Sequence, residues 1–353
     1  MKRAQIVGAT GYGGLGMTEL LLRHPQLEVT SLLARQDVGK RISDIFPHLR
    51  GFCDMVVEDA NDETVGRDAD IVIFATPDGV GQSYAQRLYF AGIPIIDYSG
   101  DFRFDSTAQY DEYSRRHPKL GGKAHACPEL LAQSVFGIPE LNRERLRGAR
   151  IVGNPGCFAV SMILGLAPAA RCGLIEMEGI VADGKTGISG AGKSPGPAYH
   201  FPAANENVTP YRIGNHQHAV ETEMAIGKLA GAAIDLTFVP HLVPVTRGII
   251  CTLYGRTRSE TAAAGVQAAY EQFYAGEPFV RVLPPGVAAT LGDVRGSNVC
   301  NISVTVANAG RRLIVTSSID NLLKGQAGVA LQNINLMLGF PETTGLERVP
   351  MYP

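Results

Sequence analysis

The 353-residue sequence lacks the apolar segments that mark secreted and membrane proteins. Its longest charge-free run, residues 151–170, is interrupted by the sequence Gly-Asn-Pro-Gly at 153–156, and the remainder is too short to span a bilayer. The N-terminus enters a strand-like Ile6 and Val7 without the longer apolar stretch of a signal peptide. We therefore expect a soluble, cytoplasmic protein with no membrane partner.

Paired signals for disulfides and metal sites are also missing. The six cysteines contain no CxxC pair, so neither a disulfide framework nor a zinc ribbon is expected. His216 and His218 form an HxH that could be half of a metal site, but no second pair at ligand spacing completes it. The sequence predicts no metal.

Neither sign of charge is in excess. The chain has 32 Lys and Arg against 34 Asp and Glu, a formal net charge of −2. This balance gives no electrostatic reason to expect nucleic acid or an anionic membrane surface as partner. A small-molecule ligand is the partner that the composition favours.

Glycine, by contrast, is abundant. There are 41 glycines in 353 residues, about 12% against a usual ~7%. They fall in clusters without a collagen-like period. Such clusters indicate backbone turns that contact a ligand.

The length suggests two domains, at ~150 residues per domain. In residues 1–150 short apolar runs alternate with helical patterns, which predicts an α/β domain with a Rossmann-type, doubly wound parallel sheet. Residues 151–320 carry longer alternating segments without crossover helices, which predicts an α+β second domain with a mostly antiparallel sheet. A final helix at about 321–338 has apolar residues at helical spacing, and we expect residues 321–353 to pack back onto the first domain.

A glycine-rich turn follows the first predicted strand and precedes a helix. Its candidate cofactor-binding residues, in a GxxGxxG pattern, are Gly8, Thr10, Gly11, Tyr12, Gly13 and Gly14. Glycine at such a bend lets the backbone approach a pyrophosphate, and the helix start offers free N–H groups and a positive dipole end. A tight strand–helix turn needs glycine for packing alone, but the position at the start of the chain's βαβ pattern favours a dinucleotide site.

The second predicted strand ends without the acidic residue that holds a ribose 2′-hydroxyl in NAD enzymes. Ala34 and Arg35 stand there instead. A guanidinium suits a 2′-phosphate, so NADP(H) is favoured over NAD. The alternative is that Arg35 is a solvated loop charge.

Cys157 is the candidate nucleophile. A turn of Asn154, Pro155 and Gly156 leads into Cys157 and then an apolar helical run. A thiol at a helix N-terminus lies at the positive end of the dipole, which favours the thiolate. A nucleophilic thiol needs a proton partner, and His216 and His218 are the candidates for that acid/base role. From spacing alone, a buried structural cysteine remains an equal alternative.

Two further glycine-rich segments are candidate anion sites. Residues 183–193 offer backbone N–H groups with Lys185, Ser189 and Gly190, and residues 97–103 place Arg103 just past a parallel strand. Open α/β sheets bind ligands at that edge, and either segment could hold a phosphate. A plain surface loop is the alternative for each.

These residues together resemble the N-acetyl-gamma-glutamyl-phosphate reductase family, within the wider aspartate-semialdehyde dehydrogenase superfamily. The similarity covers almost the whole chain. It is carried by Gly8-Ala9-Thr10-Gly11-Tyr12, Asp101-Phe102-Arg103, Asn154-Pro155-Gly156-Cys157, the 183–192 loop, His216-x-His218, the 240–248 segment and the 320–328 tail.

The resemblance implies that Cys157 attacks an acyl phosphate, that NADPH reduces the resulting thioester, and that a semialdehyde of arginine biosynthesis is released. It implies His218 first and His216 second as the acid/base, and Asn321 as a nicotinamide contact with Ser189 and Gly190. Substrate or phosphate contacts are then Arg103, Asn154, Lys185 and Arg247. It also implies that the second domain is catalytic and forms a homodimer or homotetramer through its sheet.

The sequence departs from the family beside the reacting groups. Phe158-Ala159-Val160 replaces the usual Tyr-Pro-Thr, and Gln217, Val220 and Thr222 replace Arg, Pro and Ile. These changes leave a sister reaction open, in which the substrate is a glutamyl or aminoadipyl phosphate linked to a small acidic carrier protein of lysine or ornithine biosynthesis. A non-enzymatic NADP-binding sensor on the same fold is the alternative from another class.

Overall fold

The computed structural model describes residues 1–259 and 262–352 and divides into two compact units. The first comprises Met1–Arg115, Leu120–Pro155 and Gln326–Glu347, and the second comprises Arg116–Lys119, Gly156–Gly325 and Arg348–Pro353. Pro353, the last residue of the predicted 321–353 segment, and residues 260 and 261 of the predicted second domain lie outside the described residues.

Regular elements follow the chain as strands β1 to β14 and helices α1 to α10. The strands are β1 (Lys2–Val7), β2 (Leu27–Ala34), β3 (Glu58–Asp59), β4 (Ile71–Phe74), β5 (Ile95–Asp97), β6 (Ser134–Phe136), β7 (Ile151–Gly153), β8 (Ile180–Thr186), β9 (Thr209–Pro210), β10 (Leu236–Leu242), β11 (Ile249–Arg256), β12 (Val280–Val282), β13 (Cys300–Ala307) and β14 (Arg312–Ile319). The helices are α1 (Tyr12–Leu21), α2 (Ile42–Ile45), α3 (Val80–Phe90), α4 (Thr107–Arg116), α5 (Pro139–Leu146), α6 (Cys157–Arg171), α7 (Phe201–Ala204), α8 (His218–Ala230), α9 (Ala263–Phe273) and α10 (Gly328–Met337). Short 3₁₀ turns lie at Pro47–Leu49, Pro128–Gln133, Ile188–Ala191 and Pro197–Tyr199, and a π-helical turn lies at Leu323–Ala327.

The first unit contains a seven-stranded parallel sheet in the order β3-β2-β1-β4-β5-β7-β6. Its central strands are continuous apolar runs, such as Ile71–Phe74, because a parallel sheet is covered by helices on both faces. The strand order reverses between β1 and β4, so a crevice opens at their carboxyl ends. The predicted Rossmann-type sheet is confirmed.

The second unit contains a seven-stranded mixed sheet in the order β12-β13-β14-β11-β8-β10-β9. Four of its six strand pairings are antiparallel, and β8–β10 and β12–β13 are parallel. The predicted α+β domain with a mostly antiparallel sheet is therefore confirmed. The expectation that crossover helices are missing is wrong, because α8 lies in the connection that returns the chain from β8 to the parallel strand β10.

Helices cover one face of this second sheet. On that face Gly184 of β8 lies against Phe158, Leu253 of β11 lies against Gly165, and Ser161 donates to the Ser317 carbonyl. Alternate residues of β8 and β11 point to the other face and are only half-buried. The face opposite the helices is therefore open within the described chain.

Helix α10 belongs to the first unit, and all ten of its residues are buried. Burial of each large apolar side chain such as Leu331 contributes about 1.5–3 kcal/mol. Its polar residues are also bonded: Asn333 Nδ2 donates to the Gly137 carbonyl (2.8 Å), and Gln332 Nε2 donates to Glu342 (2.7 Å). The first unit begins again at Gln326, and residues 348–352 group with the second unit, where Met351 N donates to the Arg295 carbonyl (2.7 Å). The predicted 321–353 segment is thus divided between the two units.

No helix among residues 1–259 and 262–352 has the length and apolarity needed to cross a membrane.

Candidate functional site

The turn after β1 is built so that only glycine fits. Gly8 has φ +87°, and a Cβ placed on it would overlap the carbonyl oxygen of Ala75. A Cβ on Gly14 would overlap the carbonyl oxygen of Gly8. Gly11 N donates to that same carbonyl (3.1 Å), which closes the bend before α1. The chain therefore enters α1 through glycines, and Gly11 at the helix N-terminus is only half-buried.

A cavity of about 550 Å³ lies at this turn, within the first unit. Gly8, Thr10 and Gly11 line it from the β1 end, and Arg35 lines it from the β2 end. Its other wall comes from the β4 end and the start of α3, at Ala75, Thr76, Pro77, Gly79 and Val80. A cavity at the switch point, facing a helix N-terminus, fits the pyrophosphate and ribose of a dinucleotide.

The remaining predicted cofactor residues of this turn lie behind the cavity. Tyr12, Gly13 and Gly14 form the first turn of α1. A Cβ on Gly13 would stand 3.2 Å from both the Gln326 amide and the Tyr98 ring, so Gly13 serves close packing. Arg35 is exposed, with Nη1 3.8 Å from Asp59 Oδ1 at the cavity rim.

Cys157 is the first residue of the 15-residue helix α6, in the second unit. Gly156 precedes it in an extended conformation, φ −70° and ψ 146°, and Val160 N donates to the Gly156 carbonyl (3.0 Å). The side chain is neither fully buried nor fully exposed. A thiolate here lies at the positive end of the helix dipole, as the sequence predicts.

His218 and Glu221 lie against this nucleophile turn. A Cβ on Gly156 would overlap Nε2 of His218, so the imidazole packs directly on the residue before Cys157. Glu221 is completely buried; its Oε2 accepts from Gly156 N (2.8 Å), and its Oε1 lies 3.9 Å from His218 Nε2. One carboxylate therefore holds the turn and faces the imidazole.

His216 is a poorer acid/base candidate than His218. It is buried among Tyr211, Phe158 and Phe238, with ring centroids 5.7, 6.0 and 5.3 Å away. Burial, aided by the positive charge of Arg212, lowers the pKa of His216 to about 3. Its Nδ1 accepts from His218 N (3.2 Å). A neutral imidazole in this position orients the start of α8.

Ser189, Asn321 and Arg247 come together in the second unit. Asn321 Oδ1 accepts from Gly248 N (2.7 Å), and Asn321 Nδ2 donates to Ser189 Oγ (3.0 Å). Arg247 Nη1 lies 3.6 Å from Asp320 Oδ2. The Asp320–Gly325 turn reaches Cys157, because a Cβ on Gly325 would stand 2.8 Å from the Cys157 Cβ. Gly190 lies in the same cluster, because a Cβ on it would stand 3.7 Å from Asn321 Nδ2.

Arg103 and Asn154 are buried in the first unit and bonded to backbone. Arg103 Nε donates to the Asn154 carbonyl (2.7 Å), and its Nη2 donates to the Tyr98 carbonyl (2.5 Å). Asn154 Nδ2 donates to the Gln326 carbonyl (3.1 Å), and its Oδ1 accepts from Asn333 (3.2 Å). In this structure both side chains hold the turn that leads to the nucleophile.

Lys185 is not brought together with Cys157. It alternates with Gly184, whose Cα faces Phe158, so the Lys185 side chain points to the open face of the sheet. There its Nζ pairs with Asp183 Oδ2 at 2.5 Å. The predicted phosphate contact by Lys185 is thus at odds with the structure, because residues adjacent in a strand point to opposite faces.

Glu221 and Gly325 are the site residues that sequence reasoning missed. Glu221 stands three residues after His218, the spacing that places two side chains on one helix face. This spacing indicates that the two side chains are neighbours only if residues 218–230 form a helix. Nothing in the sequence pattern indicates that Gly325 packs on Cys157.

Family models match both parts of the chain. The model described as semialdehyde dehydrogenase, NAD binding domain, matches residues 3–149, and that described as semialdehyde dehydrogenase, dimerisation domain, matches residues 157–321. Among solved structures, aspartate semialdehyde dehydrogenase II from Vibrio cholerae, complexed with ASA, has a TM-score of 0.72 at 20% identity and covers 96% of this chain and 98% of its own. The aspartate semialdehyde dehydrogenase of Candida albicans, solved with NADP, has a TM-score of 0.67 at 18% identity, with 96% and 98% coverage. The fold is that of the semialdehyde dehydrogenases.

Curated relatives show which family of semialdehyde dehydrogenase-like enzymes the chain resembles. The N-acetyl-gamma-glutamyl-phosphate reductase of Desulfotalea psychrophila is 42% identical over 354 residues and covers 100% of each chain. That of Symbiobacterium thermophilum is 42% identical over 353 residues, with 99% of each chain covered. The chain belongs to the N-acetyl-gamma-glutamyl-phosphate reductase family, whose enzymes are NADP-dependent oxidoreductases of arginine biosynthesis. The family resemblance and the NADP prediction are confirmed, and the carrier-protein alternative gains no support.

The departures from the family pattern are buried side chains and the half-buried, hydrogen-bonded Gln217. Phe158 is buried and stacks edge-on against Phe238, with centroids 5.0 Å apart. Gln217 accepts a hydrogen bond from Arg212. Val220 and Thr222 are buried in α8. Beside these residues, His218 and Glu221 contact Gly156, and Cys157 follows it in the chain.

Proposed function

We propose that this protein reduces N-acetyl-gamma-glutamyl phosphate to N-acetylglutamate semialdehyde with NADPH, through a thioester on Cys157. The observation that carries the proposal is the cluster at the start of α6. Cys157 stands at the helix N-terminus, the His218 imidazole packs on Gly156, and the buried Glu221 carboxylate bonds Gly156 N.

In the first half-reaction Cys157 Sγ forms a bond to the acyl carbon and the bond from that carbon to phosphate breaks. His218 accepts the thiol proton and then donates it to the departing phosphate oxygen. The Glu221 carboxylate, 3.9 Å away, stabilises the imidazolium that exists between these steps. Backbone amides at the start of α6 would stabilise the oxyanion of the tetrahedral intermediate.

In the second half-reaction the thioester carbon is reduced. When bound, NADPH supplies the hydride. The resulting oxyanion collapses to the aldehyde and expels the Cys157 thiolate. Solvent returns one proton to the Cys157–His218 pair, so each turnover consumes one proton.

The cofactor residues follow from the cavity of the first unit. Gly8, Thr10 and Gly11 would face the pyrophosphate, and Arg35 at the rim would bind the 2′-phosphate. Asn321, fixed by Gly248 and Ser189, is the proposed nicotinamide contact.

Arg247 is the proposed substrate-phosphate contact in the second unit. Its side chain is 36% exposed and its guanidinium stands beside Asp320, in the segment that leads to Gly325. A guanidinium can bind a phosphate through parallel hydrogen bonds. We retain Arg103 and Asn154 as residues that position the nucleophile turn, and Lys185 has no role in this proposal.

The same proposal includes self-association and location. The second unit leaves one sheet face open, and this face is the proposed contact of a homodimer, with a homotetramer as the further assembly. The cytoplasm is the proposed location, and cell fractionation tests it.

The test is an assay in reverse, with N-acetylglutamate semialdehyde, phosphate and NADP. We expect NADPH formation by the wild type and a loss of at least about a thousandfold in Cys157→Ala, because the covalent route is removed. Cys172→Ala is the matched control, since Cys172 is an exposed thiol at the other end of α6. Absence of turnover in a wild type that binds NADP would favour the sensor alternative, and undiminished activity of Cys157→Ala would exclude the thioester route.

A further inference from the structure

Two carboxyl groups are buried at the carboxyl end of β5. Asp97 is the last residue of that strand, Asp101 follows in the next turn, and both are completely inaccessible to solvent. Asp101 accepts hydrogen bonds from Gly79 N (3.0 and 2.8 Å to its two oxygens) and from Gln82 Nε2 (2.7 Å). It therefore caps the N-terminus of α3 from a different loop.

Asp97 lies beneath the same helix start. Its Oδ1 accepts from Ser99 N (2.6 Å), whereas its Oδ2 has no hydrogen-bond partner among the described residues. A Cβ on Gly81 would overlap that Oδ2 and stand 3.6 Å from Asp101 Oδ2. The two carboxyl groups thus meet at the Cα of Gly81, where only glycine fits.

The surroundings do not favour two charges on this pair. Asp78 is a third carboxylate beside it and accepts from Gly100 N (2.9 Å) and the Tyr113 hydroxyl (2.8 Å). His125 donates from Nε2 to the Asp101 carbonyl (2.7 Å), and burial lowers its pKa, so it stays neutral. The other titratable neighbours are Tyr110 and Cys127, whose pKa values burial raises to about 12, and Arg103, which donates to the Tyr98 and Asn154 carbonyls.

Burial and the neighbouring charges give Asp97 and Asp101 different pKa values. Burial raises the pKa of Asp97 well above its usual range, the charge of Asp101 raises it further, and the hydrogen bonds from Ser99 oppose the shift. Burial and the charge of Asp78 raise the pKa of Asp101 to about 6, against the hydrogen bonds from Gly79 and Gln82. An ionised carboxylate with an unbonded buried oxygen is costly, so Asp97 is the group that keeps the proton.

The helix start that these acids hold is also a wall of the dinucleotide cavity. Gly79, in a left-handed conformation with φ +88°, and Val80 line the cavity opposite Gly8. Thr76 and Pro77, which lead into this segment, line it as well. A displacement of the carboxyl groups would be transmitted directly to this wall.

We propose that Asp97 is a neutral carboxylic acid in the folded protein at neutral pH and acts as a positioning residue for the wall that residues 76–80 contribute to the cofactor cavity. The positioning role rests on the proposed function, because it concerns dinucleotide binding. The protonation of Asp97 does not depend on that function, and the two properties are measured separately.

The protonation is tested on ligand-free protein by equilibrium unfolding from pH 5 to 7, with wild type and Asp97→Asn. The unfolded chain releases the Asp97 proton above its ordinary pKa of about 3.9, whereas the folded protein keeps it. Stability from this group is therefore complete below about pH 4 and falls as pH rises toward the folded-state pKa. We expect the unfolding constant of wild type relative to Asp97→Asn to rise about tenfold per pH unit.

The exposed Asp44→Asn is the control for the loss of a carboxylate at the surface. A constant ratio for Asp97→Asn would overturn the proposal. Should Asp97→Asn not fold, the carbon-13 shift of the Asp97 carboxyl in the wild type at pH 7 decides: the shift of a carboxylic acid supports the proposal, and that of a carboxylate overturns it.

The positioning is tested by the dissociation constant for NADP. Gly81→Ala places a methyl group where Asp97 Oδ2 lies, and we expect it to weaken NADP binding at least about tenfold. The circular dichroism spectrum of the variant should match that of wild type, which shows that the fold is retained. Gly265→Ala is the matched helical control, because nothing lies within 4 Å of a Cβ there. Equal constants for the two variants would overturn the positioning role. A wild type that binds no NADP would overturn the proposed function, whereas the unfolding experiment would still decide the protonation.

Discussion

At the residue scale, Glu221 links the nucleophile turn to the acid/base candidate. Its carboxylate has one oxygen on Gly156 N and the other toward His218, and no part of it reaches solvent. A buried charge with these two neighbours is most stable when the imidazole is protonated. Glu221 therefore supports the state of His218 that donates a proton to the leaving phosphate.

Replacement of this carboxylate by its neutral isostere tests the link. We expect Glu221→Gln to lower kcat by about 10- to 100-fold, equivalent to ~1.4–2.7 kcal/mol, with a smaller change in KM. The reverse assay measures both constants. Glu223→Gln on the same helix is the control, because Glu223 is paired with Arg116 (3.6 Å) away from Gly156. Equal kcat values for the two variants would contradict the role of Glu221.

The low pKa of His216 predicts that the folded protein loses stability in acid. Its folded-state pKa of about 3 lies below the ordinary histidine value of about 6.5. The contribution of this group to stability is therefore complete above about pH 6.5 and is lost as pH falls toward 3, by up to about 1.4 kcal/mol per pH unit. Urea unfolding between pH 4.5 and 7.5 should show this loss in wild type but not in His216→Asn. The exposed His200→Asn is the control for the loss of an imidazole at the surface. A His216→Asn profile parallel to that of wild type would contradict the low folded-state pKa of His216.

At the scale of elements, the β1–turn–α1 unit forms one wall of the cofactor cavity. Its glycines have different tasks: Gly8 and Gly11 line the cavity, whereas Gly13 and Gly14 allow close packing behind it. A Cβ on Gly13 or Gly14 would meet other parts of the protein, whereas Gly8 and Gly11 border the cavity. Substitutions at Gly8 and Gly11 should therefore affect cofactor binding directly.

Gly8→Ala compared with Gly39→Ala separates contact from backbone strain. Both glycines have left-handed φ angles, +87° and +83°, so alanine is strained at each. A Cβ on Gly8 overlaps the Ala75 carbonyl, whereas nothing lies within 4 Å of one on Gly39. We expect the dissociation constant for NADP to rise more than about tenfold in Gly8→Ala and to change less than about threefold in Gly39→Ala. Similar constants in the two variants would place the cofactor elsewhere.

Much of this element-level structure was predictable, and the exceptions have physical reasons. The buried strand 71–74, the turn at Gly8 and the helix start at Cys157 follow from apolar runs and turn residues. The orientation of Lys185 does not, because it depends on strand register, which composition leaves open. The parallel β8–β10 pair also required a long-range pairing that no local pattern specifies.

At the scale of the whole molecule, the open sheet face of the second unit carries the proposed self-association. Val181, Ile250, Tyr254 and Ile314 share this face by strand register and are only half-buried in the single chain. Apolar residues on an uncovered sheet face are favourable sites for burial against a second copy.

A charge at the centre of this face should dissociate the assembly. We expect Ile250→Lys to lower the sedimentation-equilibrium mass to that of one chain, because a buried cation directly opposite Lys185 is costly. Phe90→Lys, at an exposed apolar residue of the first unit, is the control and should keep the wild-type mass. An unchanged mass for Ile250→Lys would place the contact on another surface.

The central claim is that Cys157 carries the acyl group, and intact-protein mass spectrometry tests it most directly. Wild type mixed with N-acetyl-gamma-glutamyl phosphate in the absence of NADPH should gain one N-acetylglutamyl group. Peptide mapping should locate that group on Cys157, and addition of NADPH should remove it as the semialdehyde. An unmodified protein that still turns over, or an acyl group on another residue, would contradict the account.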